Sequence, residues 1–250
     1  MIYGLYNSAA GMMVNEYRQA VIANNLANAD TVGFKRDIAV FAERMPARTA
    51  GMRRGPSAPD LSGLSGGLWL GQTCTDFGEA SKIRTENPLD IALDGPGFLV
   101  VAADGQQLLT RDGRLRTDAE GRLVATTDGA AVLGVGGLPI QVNPLGGPVT
   151  IDEDGRVQQD GRVVGELLRV DFADYGALRK VGDGRYTAPE DATLRPAVAR
   201  VQAGYLESSG VKPIHELVQM IAASRAYQMN ARMVAVQDQT LGRLVSLITS

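Results

Sequence analysis

Two stretches of the chain, one near each end, repeat apolar or small residues every three or four positions, and the stretch between them follows a shorter period. From about Leu5 to Asn28 the repeat runs Tyr6, Ala10, Met13, Tyr17, Ala20, Asn24, Ala27, with no proline and one glycine. It predicts a helix with a heptad seam of small and aromatic residues and an asparagine inside it. The second stretch runs Met220, Ala223, Tyr227, Asn230, Val234, Gln237, Leu241, Leu244 and Ile248. Pro213 suits a first helical turn and Glu216 the positive end of the helix dipole, so this helix is predicted to start near Pro213.

The middle breaks into short apolar runs, among them LDIAL, GFLVVAA, QQLLT, RLVAT, LPIQV, RVVG and ELLRVDF. Asp-Gly pairs at Asp94, Asp104, Asp112, Asp128, Asp154, Asp160 and Asp183, with Glu120-Gly121, punctuate them and suit hairpin turns that require positive φ. The reading is an all-β body over about Phe77 to Tyr205. Residues 36–75 include GPSAPDLSGLSGG, which has too many breakers for a helix and reads as an extended or mobile linker. The fold class is therefore α+β: an all-β middle domain with long N- and C-terminal helices that pair into a coiled-coil-like axial core. Its parts are a discontinuous helical domain of 1–35 plus 208–250, a linker region of 36–75 and a β-rich outer domain of 76–207.

Composition narrows the function classes. At 250 residues, 44% hydrophobic and 21% charged, the chain can bury a real core. Its net charge of −3 and scattered basic residues give no footprint for nucleic acid or anionic membranes. Asn7, Asn15, Glu16 and Arg18 interrupt the N-terminus, so no cleaved secretory signal is expected, and no stretch is apolar for long enough to span a bilayer.

Catalytic chemistry finds little to work with. His215 is the one histidine, and no metal or triad partners are apparent near it. TIDEDG at 150–155 resembles part of a calcium loop, but threonine stands at the first ligand position and Gly161 where a bidentate glutamate is needed. Asp90 and Asp94 read as turn residues rather than a glycosidase pair. Gly95 and Gly97 lack the third glycine and the helix of a nucleotide loop. Cys74 has no adjacent base. The expectation is a protein that is not an enzyme, with no cofactor, no metal and no small-molecule substrate.

The sharper signal is ANNLANADTVGFK at 23–35. Asn24, Asn25 and Asn28 each cost roughly 0.5 kcal/mol of helix propensity relative to alanine, so an isolated helix gains nothing from them. Buried amides do suit helix bundles that must choose a register. Gly33 then allows the chain to turn out of the helix, and Phe34 can anchor the turn.

SAAGM at 8–12, IANNLANADTVGFKR at 22–36, NPLDIALDGPGFLVV at 87–101, LTRDGRL at 109–115 and GYLESSGVKP at 204–213 together resemble the bacterial flagellar basal-body rod and hook family, in the right order over nearly the whole chain. Length and the opening MIYGLYNSAAGM look most like the proximal-rod member, with the distal-rod member as the alternative. The resemblance implies an axial structural protein, exported through the flagellar type III apparatus and polymerised in the periplasm into the hollow drive shaft between motor and hook. Partners would be copies of itself and other rod proteins, with no nucleic acid and no membrane insertion. The subunit-interface residues it implies are Tyr17, Ala23, Asn24, Asn25, Leu26, Ala27, Asn28, Thr31, Gly33 and Phe34, with Tyr227, Asn230, Val234, Leu241 and Leu244 on the second helix. Two other classes stay open, a soluble coiled-coil adaptor and a carbohydrate-binding β protein. The second is disfavoured by an aromatic content of 5% and a single tryptophan, Trp69.

Overall fold

The computed structural model describes residues 2–43, 67–189 and 192–249. Most of the linker motif expected within 36–75 lies outside the described residues. Contacts divide the chain into two compact units, a helical one of Met1–Ala27, Asp37–Thr75 and Lys212–Ser250, and a β unit of Asn28–Arg36 and Asp76–Val211. Residues 28–36 thus cluster with the β unit, whereas the flanks of the linker region cluster with the helices.

In the helical unit, α1 spans Ile2–Ala27 and α2 spans Pro213–Thr249, starting where the sequence placed it. The two helices pack closely over glycine. A Cβ at Gly4 would lie 2.8 Å from Gln237 Nε2, and one at Gly11 would lie 2.7 Å from Asn230 Nδ2. One heptad on α1 is thereby matched by one heptad on α2 in the opposite chain direction, and the two amide side chains fill the space that missing side chains leave. On α2 the expected seam faces this contact: Ala223 is buried, and Met220, Tyr227, Asn230, Val234, Gln237 and Leu241 are half-buried. The side chain of Ile248 lies outside the described residues. On α1 the seam differs. Tyr6 and Met13 are 70% and 71% exposed, Ala20, Asn24 and Ala27 are exposed, and the covered side runs instead through Gly4, Ser8, Gly11, Asn15, Arg18, Ile22 and Asn25. The physical reason is that the closest helix approach needs the smallest residues, which a search for large apolar ones passes over.

Two antiparallel strands complete this unit, β1 (Asp37–Glu43) and β2 (Leu68–Thr75), with a bulge between Ala39 and Phe41.

The β unit is built from short strands: β3 Lys82–Arg84, β4 Ile91–Asp94, β5 Phe98–Ala103, β6 Gln106–Thr110, β7 Leu115–Thr117, β8 Leu123–Ala125, β9 Ala131–Val132, β10 Val149–Ile151, β11 Arg156–Gln159, β12 Arg162–Glu166, β13 Arg169–Phe172, β14 Arg179–Gly182, β15 Arg185–Thr187, β16 Leu194–Pro196, β17 Arg200–Ala203 and β18 Tyr205–Glu207. The largest sheet runs β14-β15-β6-β5-β9-β8-β7, with β13 against β5 and β16, and the smaller sheets are β10-β11-β12, β17 with β4 and β18 with β3. The continuous run FLVV in β5 is explained by burial on both faces. Leu99 and Val101 enter one core with Ile91, Leu123 and Val157, while Phe98 and Val100 enter another with Phe172 and Tyr186. Alternation along a strand forces this split.

Only some Asp-Gly pairs are two-residue hairpins. Asp104-Gly105, Asp160-Gly161 and Asp183-Gly184 have positive φ at both residues, as a type I′ turn requires, and join β5 to β6, β11 to β12 and β14 to β15. Asp112-Gly113 serves a different purpose, a close approach of main chain to Ile91.

The aromatic core contains a titratable group. Tyr175 lies 5.8 Å from Phe98 in an edge arrangement and donates a hydrogen bond to Asp171 Oδ1 at 2.5 Å. Burial, then the neighbouring Asp171, pushes its phenol up to about 12 from 10.0. A folded pKa above the unfolded one leaves stability unaffected below pH 10 and erodes it as pH climbs from there towards 12. Ultraviolet titration of the native chain is expected to show a late-ionising tyrosine that disappears in Tyr175→Phe, whose stability should also fall less between pH 10 and 12.

Candidate assembly surface

The end of α1 is held by Asn25, and the turn that follows it by Asn28. Asn25, 2% exposed, donates from Nδ2 to the Asp37 carbonyl at 2.8 Å and accepts the Asp37 N–H on Oδ1 at 2.9 Å. Its amide thus imitates a strand partner and clamps the start of β1 to the last turn of α1. Tyr17 makes a second tie, its hydroxyl hydrogen-bonding Thr73 Oγ1 on β2. Both polar groups that looked like subunit contacts are used inside the chain.

Beyond the helix, Asn28 opens the turn that belongs to the β unit. Its carbonyl accepts from the Thr31 N–H at 3.2 Å and from Ser209 Oγ at 2.8 Å, and its Oδ1 accepts from Thr31 Oγ1 at 3.2 Å. Gly33 follows with φ 67, and its N–H donates to the Glu207 carbonyl at 2.9 Å. Phe34 is buried beneath Lys180 Nζ, which sits 4.3 Å from its ring centroid. Gly33 and Phe34 are therefore anchors within the β unit, as the sequence expected for the turn, and are closed to a neighbour in this state.

The open residues lie on the other side of each helix. On α1, Ala23, Asn24 and Ala27 are exposed beside Tyr6 and Met13, with Leu26 half-buried. On α2, Val218, Ile221, Met229, Met233 and Val236 are exposed, whereas Leu244, 38% exposed, continues the contact face beyond Gln237. The α2 face is unusual for a helix that already covers its partner, because it presents large aliphatic side chains on the side away from the contact. Sequence periodicity had not marked it, since the expected seam took the apolar signal of α2 and left these positions unassigned.

Chemistry elsewhere is sparse. His215 is exposed in the first turn of α2, where Gln219 Nε2 lies 2.7 Å from its Nε2. Among the described residues no three His, Cys, Asp or Glu side chains are grouped as metal ligands. Asp154 and Asp152 stand in a turn, with the Asp152 carboxylate accepting the N–H groups of Asp154 and Arg156.

Comparison with known proteins bears on both helices and the β unit. Residues 5–35 match the description "Flagella basal body rod protein", residues 92–159 "Flagellar hook protein FlgE/F/G D1 domain" and residues 202–247 "Flagellar basal body rod FlgEFG protein C-terminal". The flagellar basal-body rod protein FlgF of Caulobacter vibrioides is 35% identical over 235 residues, covering 92% of this chain and 91% of that protein. The chain belongs to the flagellar basal-body rod protein family. FlgG of the same organism is 31% identical over 95% of this chain and 96% of its own, and FlgG of Bacillus subtilis 30% over 99% of each. The FlgF kind fits, with the FlgG kind as the alternative. This rod protein is a structural component of the flagellar basal body, and its relatives are structural rather than enzymatic. The rod-protein match takes in α1 and its exit through Gly33, and the C-terminal match takes in α2 with its open apolar face.

Proposed function

We propose that this rod subunit polymerises through its terminal helices into the hollow drive shaft that transmits torque from motor to hook. The observation that carries the reading is the apolar face of α2 opposite its α1 contact, through Val218, Ile221, Met229 and Val236, together with Tyr6 and Met13 on α1. Burying such a side chain is worth about 1.5–3 kcal/mol, so a handful of them per neighbour gives a firm contact that recurs at every subunit. Different faces meeting head to tail build an open helical filament when the rotation from copy to copy does not close into a ring. The axial core in this reading is a coiled-coil-like array of α1 and α2 helices, and the β domain lies on the outside. Ala23, Asn24 and Ala27 join the contact between copies. Tyr227, Asn230, Val234 and Leu241 set the α1 to α2 register that presents it, on the face that Leu244 continues.

The same reading has the chain leave the cytoplasm through the flagellar type III export apparatus and join copies of itself and other rod proteins in the periplasm. Stiffness then comes from many repeated contacts rather than one strong bond. The test uses a strain lacking the gene. Met229→Glu with Val236→Glu is expected to keep wild-type helicity and export yet fail to restore swimming. Full swimming with this double variant would overturn the proposed contact. A concentration-independent dimer of the purified wild-type chain would favour the coiled-coil adaptor instead.

A further inference from the structure

The β unit contains a buried ionic cluster that the assembly surface does not use. Glu207, 2% exposed, accepts from Lys35 Nζ at 2.6 Å and from the Ala80 N–H at 3.1 Å on Oε1, and from Arg111 Nη1 at 3.4 Å on Oε2. Lys35, itself 1% exposed, also donates to the Gly78 carbonyl at 2.8 Å. Arg111 donates from Nη2 to the Gly95 carbonyl at 2.9 Å and lies 5.4 Å from the Phe98 ring centroid. Two cations share one carboxylate in a site closed to water. Burial holds the Lys35 ammonium below its ordinary range while Glu207, its direct partner, and to a lesser extent Glu79 pull the other way.

The partner arrives 172 positions later in the chain. Backbone bonds tie the same two segments, from the Gly33 N–H to the Glu207 carbonyl at 2.9 Å and from the Gly210 N–H to the Phe34 carbonyl at 2.8 Å. An unpaired lysine is costly in an apolar interior, and a carboxylate without its cations is equally so. Neither segment can therefore settle alone.

We propose that Lys35, Glu207 and Arg111 form an interlock that makes docking of residues 28–36 and residues 205–211 into the β unit a single event. The two places where the chain leaves this unit, towards α1 and towards α2, are then ordered together or not at all. A chain whose C-terminal part is missing keeps its N-terminal exit undocked, however complete its β strands are. This holds whether or not the helices polymerise as proposed.

Native-state hydrogen exchange on the full-length chain tests it without any mutation. The amides of Gly33 and Gly210 are expected to share one opening equilibrium and one denaturant dependence across a series of low denaturant concentrations. Separate opening of the two would overturn the interlock. Two variants then test the charge accounting. Glu207→Gln leaves two buried cations and is expected to speed exchange at both amides roughly a hundredfold. Lys35→Met leaves Arg111 and Glu207 as a balanced pair and is expected to speed it less. Equal or larger acceleration in Lys35→Met, or acceleration at one of the two amides alone, would contradict the proposal. If Glu207→Gln does not fold, the wild-type exchange and Lys35→Met still decide.

Discussion

Replacing Gly33 or Gly113 with alanine is expected to disrupt the β unit severely. The two glycines let three pieces of backbone stack without side chains between them. A Cβ on Gly33 would lie 2.5 Å from the Arg111 carbonyl carbon and 2.8 Å from the Asp112 nitrogen, and one on Gly113 would lie 1.7 Å from the Ile91 carbonyl oxygen. No rotamer change relieves either clash, because the obstructing atoms are main chain. At Gly33 the φ of 67 adds a conformational penalty of about 1 kcal/mol to overpacking of about 1–3 kcal/mol. At about 2–4 °C per kcal/mol for a chain of this size, Gly33→Ala is expected to lower the melting transition of the β unit by roughly 5–15 °C. Gly113→Ala must separate Gly113 from Ile91, which are joined by the hydrogen bond from the Ile91 N–H to the Gly113 carbonyl at 3.0 Å, and is expected to leave the unit largely unfolded. Circular dichroism melts check both, and a Gly113→Ala protein melting within 2 °C of wild type, on the order of 1 kcal/mol or less, would contradict the close stacking.

The second large effect is at Asn25. Asn25→Leu removes both hydrogen bonds to the Asp37 backbone in a nearly dry site. Each lost bond at such a place costs about 1–3 kcal/mol, so the variant is expected to lose roughly 2–6 kcal/mol, with faster amide exchange along β1. A loss below about 1 kcal/mol in Asn25→Leu, with unchanged exchange along β1, would show that Asn25 does not act as the clamp.

These residues also mark where sequence reasoning succeeds and where it stops. The start of α2 at Pro213 and its seam through Ala223, Asn230 and Gln237 were legible because the contact follows a strict heptad. Strand positions were legible from Asp-Gly pairs, although Asp112-Gly113 proved to be a close backbone approach rather than a hairpin, and local pattern cannot distinguish the two. On α1 the contact runs over Gly4 and Gly11, which carry no hydrophobic signal, so the large exposed residues were read as its seam. The need for unusual residues in ANNLANADTVGFK was visible, but not their partners. Asn25 meets Asp37 within the chain, and Lys35 meets Glu207 across most of its length, a pairing that depends on the finished fold.

The central claim, that this family member builds the rod through its helices, is tested most directly by electron microscopy of basal bodies purified from a strain lacking the gene. The strain is supplied with either the full chain or a chain ending at Lys212, before α2 begins. The account predicts an interrupted rod in the deletion, a complete rod with the full chain and an interrupted one with the shortened chain. Complete rods and normal swimming in the deletion, or with the chain that lacks α2, would contradict it.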